Sequence, residues 1–411
     1  MMRPLRAYVL DVRTVLRNSS FYGYYRPVAA ARQRRALRTL VRRAATKNLS
    51  DNVYQSIATQ LAARRLKRRD LPPALRDATV VGVGALGWER HGLWPSFERS
   101  CNFTHFSDGL GIDVPFYCHS RNEQQHRSAR LLEAIDQVGA RTPVNLCFFY
   151  ADSSNIAPDL FAALHDRGIW TVLMGLDDRH TFTKFQRGDL TVGVETVAPH
   201  VDLYWTSWRA GILLLHQIGS RPWLGGAAAD PLFHRPMPTA KSIDVLFLGQ
   251  AYGARREIIR ELRALGIEVE CRGYGWEGGN LDFEECIRLF SSAKIVLGIS
   301  AVGAMSDVTI LKGRDFEAPM CGACYVTQYS EELTDFFTLG TDLVCYSTPF
   351  QAAEVISTLL ANPDRRTELS ENALKRSLHS NTWDKRISEM YEILSAPSTD
   401  ALVRRSGRSG Q

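Results

Sequence analysis

The sequence predicts an α/β protein: two tandem parallel sheets behind a basic helical extension. Three observations carry that prediction. From Ala78 onward, short β-branched runs alternate with helical patterns, as in parallel sheets with crossover helices. The alternation pauses at a proline-containing stretch, residues 230–241, with Pro231, Pro236 and Pro238, and then restarts. Basic residues crowd the first seventy positions, 17 Lys/Arg against 3 Asp/Glu, whereas the rest of the chain holds 33 against 41.

The elements follow in order. Residues 1–75 read as helical. Arg32, Arg34, Arg35, Arg38, Arg42 and Arg43 are interleaved with Leu37, Leu40, Val41 and Ala44, which share one helix face. A second cluster, Arg64, Arg65, Lys67, Arg68 and Arg69, precedes Pro72-Pro73. The first sheet is expected from strands at 79–83, 102–106, 144–150, 170–175 and 203–206, with helices to about 99, at 128–138, at 157–167 and through 217. The second is expected from strands at 245–249, 267–271, 295–299 and 324–327 and a helix at 255–265, with Ile258, Ile259, Leu262 and Leu265 on one face. The division is a basic extension (1–75), two Rossmann-like domains facing a cleft (76–235 and 241–395) and a disordered Ser/Arg/Gly tail (396–411). Ligands of such sheets sit at the carboxyl ends of the strands.

Composition narrows the function. No run reaches the roughly 18–20 apolar residues of a spanning helix. Arg3, Arg6, Asp11 and Arg13 interrupt any secretory signal core, so a cytoplasmic protein is expected. The mildly acidic body argues against nucleic acid; the basic arm suits an anionic membrane surface, a partner protein or a solvated packing helix. Eight cysteines include one Cys-x-x-Cys, Cys321 and Cys324. No second ligand pair accompanies it, so buried thiols are expected rather than zinc or redox chemistry.

Three constellations bear on chemistry. Gly82-Val83-Gly84-Ala85-Leu86-Gly87 follows a strand, with Asp108 further on. It reads as a dinucleotide fingerprint, a tight β–α turn, or a turn touching an acceptor through Gly84, Gly87, Glu89 and His91. Around residues 311–323, Arg314 is suited to phosphate and Glu317 to a ribose diol, or the two pair with each other on the surface. Asp177-Asp178-Arg179-His180 follows a strand end. There Asp177, Asp178 and His180 are candidates for acceptor deprotonation, or the aspartates cap a helix.

The second half resembles the donor domain of group 1 glycosyltransferases of the spore-maturation CgeB type. The resemblance rests on Val245-Leu246-Phe247-Leu248-Gly249 with Tyr252, Arg255 and Arg256, on Gly273-Tyr274-Gly275-Trp276, and on Arg314, Phe316, Glu317, Cys321, Gly322 and Ala323. It continues through Glu331, Leu333, Phe337 and Asp342 to Arg366, Asn372, Ala373, Arg376, His379, Trp383 and Arg386. It covers about residues 78–395 and is loose in the first half.

The resemblance implies a GT-B glycosyltransferase that moves a sugar from a nucleoside-diphosphate sugar to a glycan, lipid-linked or envelope acceptor, with retention. Gly249, Tyr252, Arg255, Arg256, Tyr274, Lys312, Arg314, Phe316 and Glu317 then hold the donor. Glu317 matches the second glutamate of the Glu-x7-Glu motif, and Thr309 stands at the first. No Asp-x-Asp triplet occurs anywhere, so a metal-free donor site without cofactor is expected, with Arg, Lys and a helix end meeting the diphosphate charge. Two other classes compete: an NAD(P)-dependent oxidoreductase using Gly82, Gly84 and Gly87, and a catalytically degenerate glycan-binding protein.

Overall fold

The computed structural model describes residues 35, 39, 51–106, 118–151, 153–303 and 305–403, the side chains of Asp51 and His180 excepted. Most of the first arginine run and Asp108 lie outside the described residues. The strands, in chain order, are β1 (Thr79–Gly84), β2 (Asn102–Phe106), β3 (Leu146–Tyr150), β4 (Trp170–Gly175), β5 (Phe185–Arg187), β6 (Leu190–Val192), β7 (Leu203–Thr206) and β8 (Pro222–Leu224). They continue with β9 (Ile243–Leu248), β10 (Glu270–Arg272), β11 (Ala293–Gly298), β12 (Ala301–Val302), β13 (Met305–Thr309), β14 (Tyr325–Gln328) and β15 (Val344–Tyr346).

Two parallel sheets result. The first runs β2-β1-β3-β4-β7-β8, the second β10-β9-β11-β14-β15. Parallel strands covered on both faces need apolar residues on both, and β3 shows this. Leu146 and Phe148 enter one cluster; Cys147 and Phe149 enter the other. In each sheet the chain leaves its first strand to one side and returns on the other. The strand order therefore reverses between β1 and β3, and again between β9 and β11. Crevices at such points are where open α/β sheets bind ligands.

One hydrophobic cluster runs through both halves. It includes Val80, Phe148 and Trp205 of the first sheet, Leu246, Val296 and Tyr325 of the second, and Trp383, Ile387 and Met390 of the closing helix Trp383–Ser395. That helix crosses back to the first half. Trp383 stacks on Trp88 at 5.8 Å, Arg99 bridges Asp230 and Asp384, and the Tyr391 hydroxyl donates to Pro72 O at 2.6 Å. The hairpin β12–β13 crosses the other way. Its Val302, Met305 and Val308 join the cluster of Val194, Val197 and Trp208.

Of the alternatives for the basic extension, the second cluster takes the packing one. The helix Asp51–Arg65 buries Ile57 and Leu61, and Arg64 and Arg68 reach the fully buried Asp202, each at 2.9 Å. The expectation of a disordered tail from residue 396 is corrected at its start. Thr399–Val403 is helical, Leu402 is buried, and the Thr399 hydroxyl donates to Gln55 Oε1 at 2.7 Å. Cys321 and Cys324 are both buried and burial pushes their thiols up, Cys324 to about 11, as inert thiols behave.

Candidate active site between the two sheets

At the reversal point of the second sheet, Arg255 and Arg314 are buried side by side. Arg314 comes from the first turn of the helix Arg314–Met320 and donates to Leu248 O at the end of β9 and to Ile299 O just past β11. Arg255 opens the helix Arg255–Ala264 and donates to Gln250 O at 3.0 Å. Both guanidiniums lie over the Phe247 ring, Arg314 at 4.6 Å and Arg255 at 5.7 Å. Burial and the neighbouring Arg314 push Arg255 down to about 10. The Nε of each is buried without a hydrogen-bond acceptor, and neither makes an ion pair among the described residues. Gly249 permits the arrangement: a Cβ there would stand 2.6 Å from Arg314 Nη1. Trp276 braces the same point by donating from Nε1 to Gly249 O at 2.8 Å.

Around this pair the sequence-predicted residues divide. Tyr252 lies beneath Arg255, ring to guanidinium 4.4 Å, and is partly exposed, as is Tyr274 on the next turn. The two turns are joined by Ala251 N–H donating to Tyr274 O at 2.9 Å. Lys312 reaches across the cleft to Asp177 at 3.6 Å. Glu317 is half-buried and makes no hydrogen bond or ion pair among the described residues; burial pushes its carboxyl up to about 7 against the pull of Arg314.

Two donor candidates are corrected. Phe316 is fully buried against Phe336 and Phe337, and its N–H is spent on Gly313 O, so it is core. Arg256 is exposed and turned to Trp276 at 5.3 Å and to Gly275 O, where it holds a turn rather than a phosphate.

The first sheet's reversal point opens into a cavity of about 460 Å³, lined by Ala85 after β1, Tyr150 and Ala151 at the end of β3, and Gly175, Asp177 and Asp178 at the end of β4. Asp178 is no accessible base. It is buried, and both oxygens are held, Oδ1 by the Tyr204 hydroxyl at 2.8 Å and Oδ2 by the Thr206 hydroxyl. Burial still pushes it up to about 7. Asp177 is exposed and does not cap the following turn with its side chain. His180 lies in the turn Asp178–Thr181, and its side chain is outside the described residues.

Glu89 lies on the 3-10 turn Trp88–His91, is buried, and contributes to the cavity wall. His91 is not an acceptor contact. It stacks on Phe283 of the second half at 3.8 Å. Gly82 and Gly84 do not make room for a pyrophosphate. Cβ atoms there would strike Phe103 at 2.4 Å and Trp94 at 2.7 Å, so their smallness serves internal packing. The dinucleotide reading loses its physical basis with them.

Sequence reasoning missed three cleft contacts. Arg179 donates to Thr309 O with its Nε left buried and unpartnered; Arg209 pairs with Asp335; and Arg209 N–H donates to Glu332 Oε1 at 3.2 Å. Only the basic character of these arginines was visible, not their partners more than a hundred residues away. Thr309, at the first position of the Glu-x7-Glu spacing, is itself engaged, its hydroxyl donating to Tyr329 O at 2.8 Å.

Residues 255–392 match a family model described as glycosyl transferase-like. That match spans about a third of the chain and lies wholly in its second half. Over about three quarters of its length the chain shares its fold with solved structures. Sucrose-phosphate synthase from Thermosynechococcus elongatus aligns over 78% of this chain and 100% of its own at 12% identity and a TM-score of 0.55. HepE of Anabaena, in complex with UDP-glucose, aligns over 77% and 99% at 13% identity and 0.53. A glycosyltransferase from Rickettsia africae aligns over 78% and 100% at 8% identity and 0.54. No curated protein matches the chain. The fold is GT-B, and the matched domain together with this fold supports a glycosyltransferase.

Proposed function

We propose that the protein transfers a sugar from a nucleoside-diphosphate sugar to a hydroxyl acceptor without a metal ion. The observation that carries this reading is the Arg255–Arg314 pair: two buried cations at a sheet reversal point that make no ion pair among the described residues. Burying unpaired charge is costly, and a bound diphosphate supplies the missing anion through charge-assisted hydrogen bonds. The two Nε atoms without acceptors are donors of the right kind. As the diphosphate leaves, Arg255, Arg314 and Lys312 take up the developing negative charge, the role a metal ion plays elsewhere. Glu317 accepts the ribose hydroxyls, and Tyr252 and Tyr274 offer exposed rings to the base.

The acceptor enters from the first-half cavity, with Asp177 and Lys312 meeting across the cleft as it closes and excludes water. A CgeB-type membership, and an envelope or lipid-linked acceptor reached from the inner face of a membrane, extend the same reading. The sequence resemblance and the basic run upstream of residue 50 support them. None of the helices among the described residues is long and apolar enough to cross a membrane.

Thermal shift against UDP-, GDP- and TDP-sugars tests the core claim, with UDP-glucose as the first probe because HepE binds it. A true donor at a hundredfold excess over its Kd stabilises the fold by about 2.7 kcal/mol. Glu317→Ala should lower donor affinity about tenfold while leaving the unliganded melting point in place. An unshifted melting curve with every nucleotide sugar would refute the reading.

A further inference from the structure

We propose that Arg179 is a positioning residue: from the first half it fixes the hairpin β12–β13, and through that hairpin it sets the two loops that carry Arg255 and Arg314. The inference rests on the transferase reading above and adds what holds its diphosphate seat in shape. The hairpin abuts both loops. Beyond β13, Ile310 and Leu311 are buried and lead directly to Lys312 and, two residues on, to Arg314. Just past β12, Gly303 O accepts from Ala254 N–H at 2.8 Å, immediately before Arg255. Gly253 makes that approach possible: its φ is +60°, and a Cβ there would collide with Gly303 O.

An isolated two-stranded hairpin is marginal in water, and β12 is only two residues long. What the hairpin docks on therefore decides where it sits. The second half holds it by Gln328 Nε2 donating to Ser306 O at 2.5 Å and by the Thr309 hydroxyl donating to Tyr329 O at 2.8 Å. The first half holds its apolar side. Val302, Met305, Val308 and Ile310 share a cluster with Val194 and Val197, which also line the first-half cavity. Arg179, on the turn after β4, is the polar tie on that side and donates to Thr309 O. Burial pushes its guanidinium down, and three second-half acids, Glu332, Glu331 and Asp307, pull the other way. The neighbouring bridge from Lys312 to Asp177 is looser, 3.6 Å with the carboxylate 61% exposed, and such a pair contributes little.

The diphosphate seat is thus completed by a residue of the opposite half, and the wall of the first-half cavity bears on the same hairpin. Coupling of this kind is reciprocal. Whatever Arg179 does for the affinity of the seat, an occupied seat must do for the contact that Arg179 makes.

UDP alone is the probe, since it fills the seat without a sugar to bridge the cleft. Arg179→Met should raise its Kd by about tenfold, measured by calorimetry. Because Arg179 acts through the arginine loops, that loss should shrink to less than about threefold in an Arg314→Met background. Losses that multiply in full, or an unchanged Kd in the single variant, would overturn the proposal. Reciprocity supplies a measurement on the unmodified protein, which stands even where a variant fails to fold. Saturating UDP should slow amide exchange in residues 176–182 of the first half and 305–309 of the hairpin, read by mass spectrometry. UDP binding with exchange at 176–182 unaltered would remove the role of Arg179 alone, whereas a chain that binds no UDP would remove the transferase reading and this inference with it.

Discussion

At the amino end of β7, Arg64, Arg68 and His165 converge on the buried carboxylate of Asp202; at the carboxyl ends of β9 and β11, Arg255 and Arg314 lie together and make no ion pair among the described residues. Both clusters bury guanidinium groups. In the first, Asp202 also accepts from Thr171 N–H at 3.0 Å. Burial pushes that carboxyl up, but His165 and Arg68 outweigh it and hold it well below the usual carboxylate range. That cluster is complete and does structural work, fastening the helix Asp51–Arg65 and its basic end to the sheet. The second makes no ion pair among the described residues, and in the proposed function a bound diphosphate supplies its counter-charge. The same residue type is structural in the first place and is proposed to bind in the second.

Four experiments sharpen or break this contrast. Asp202→Asn should be the most damaging, costing about 3–5 kcal/mol at neutral pH because it strands the buried arginines. Its folded pKa is depressed, so the advantage of the wild type is full above the ordinary aspartate value and fades as pH falls below it. Urea unfolding at pH 7 and at pH 3 checks both statements. Arg314→Met should do the reverse. It should cost about 1 kcal/mol or less of stability, since no ion pair is broken, yet remove about 1.5–3 kcal/mol of donor affinity, measured by calorimetry with UDP-glucose. Equal losses of stability and affinity would erase the distinction.

Glu89→Gln probes a group whose folded pKa is raised. The folded wild type keeps a proton that the unfolded chain gives up, so wild-type stability falls between about pH 4.5 and 7. The variant should gain on it over that window, by at most about 3 kcal/mol, read from paired melting curves. Arg256→Ala should have the smallest effect, under about 1 kcal/mol in stability and none in donor affinity, because its exposed guanidinium covers Trp276 and donates to Gly275 O at the surface.

The same contrast explains how much was legible in the sequence. Strands such as 102–106 and 170–175 announced themselves through β-branched and aromatic runs, and the two tandem sheets followed from alternation alone. Arg255, Arg314 and Glu317 were visible through their motif. The fate of Phe316 and Arg256 was not, since neighbours in sequence on one helix turn face core, solvent and cleft in succession. The role of Asp202 depends on arginines more than a hundred residues upstream, which no local pattern encodes. The hairpin β12–β13 lacks the turn and alternation signals of a long strand pair, and its docking depends on apolar residues of the other half. Glu89 was noticed for lying beside a glycine turn; its orphan oxygen is a property of packing.

The chain passes between the halves twice, once on the way out through the stretch around Ala229 and once on the return at Thr382. These two passages touch. Ala229 N–H donates to Asn381 O at 3.1 Å, and Trp383 N–H donates to Ala229 O at 3.2 Å. Two strands of a joint laced to one another behave like the two knuckles of a door hinge. The knuckles interlock at one line, so the two halves are tied by a doubled joint and not by a single thread.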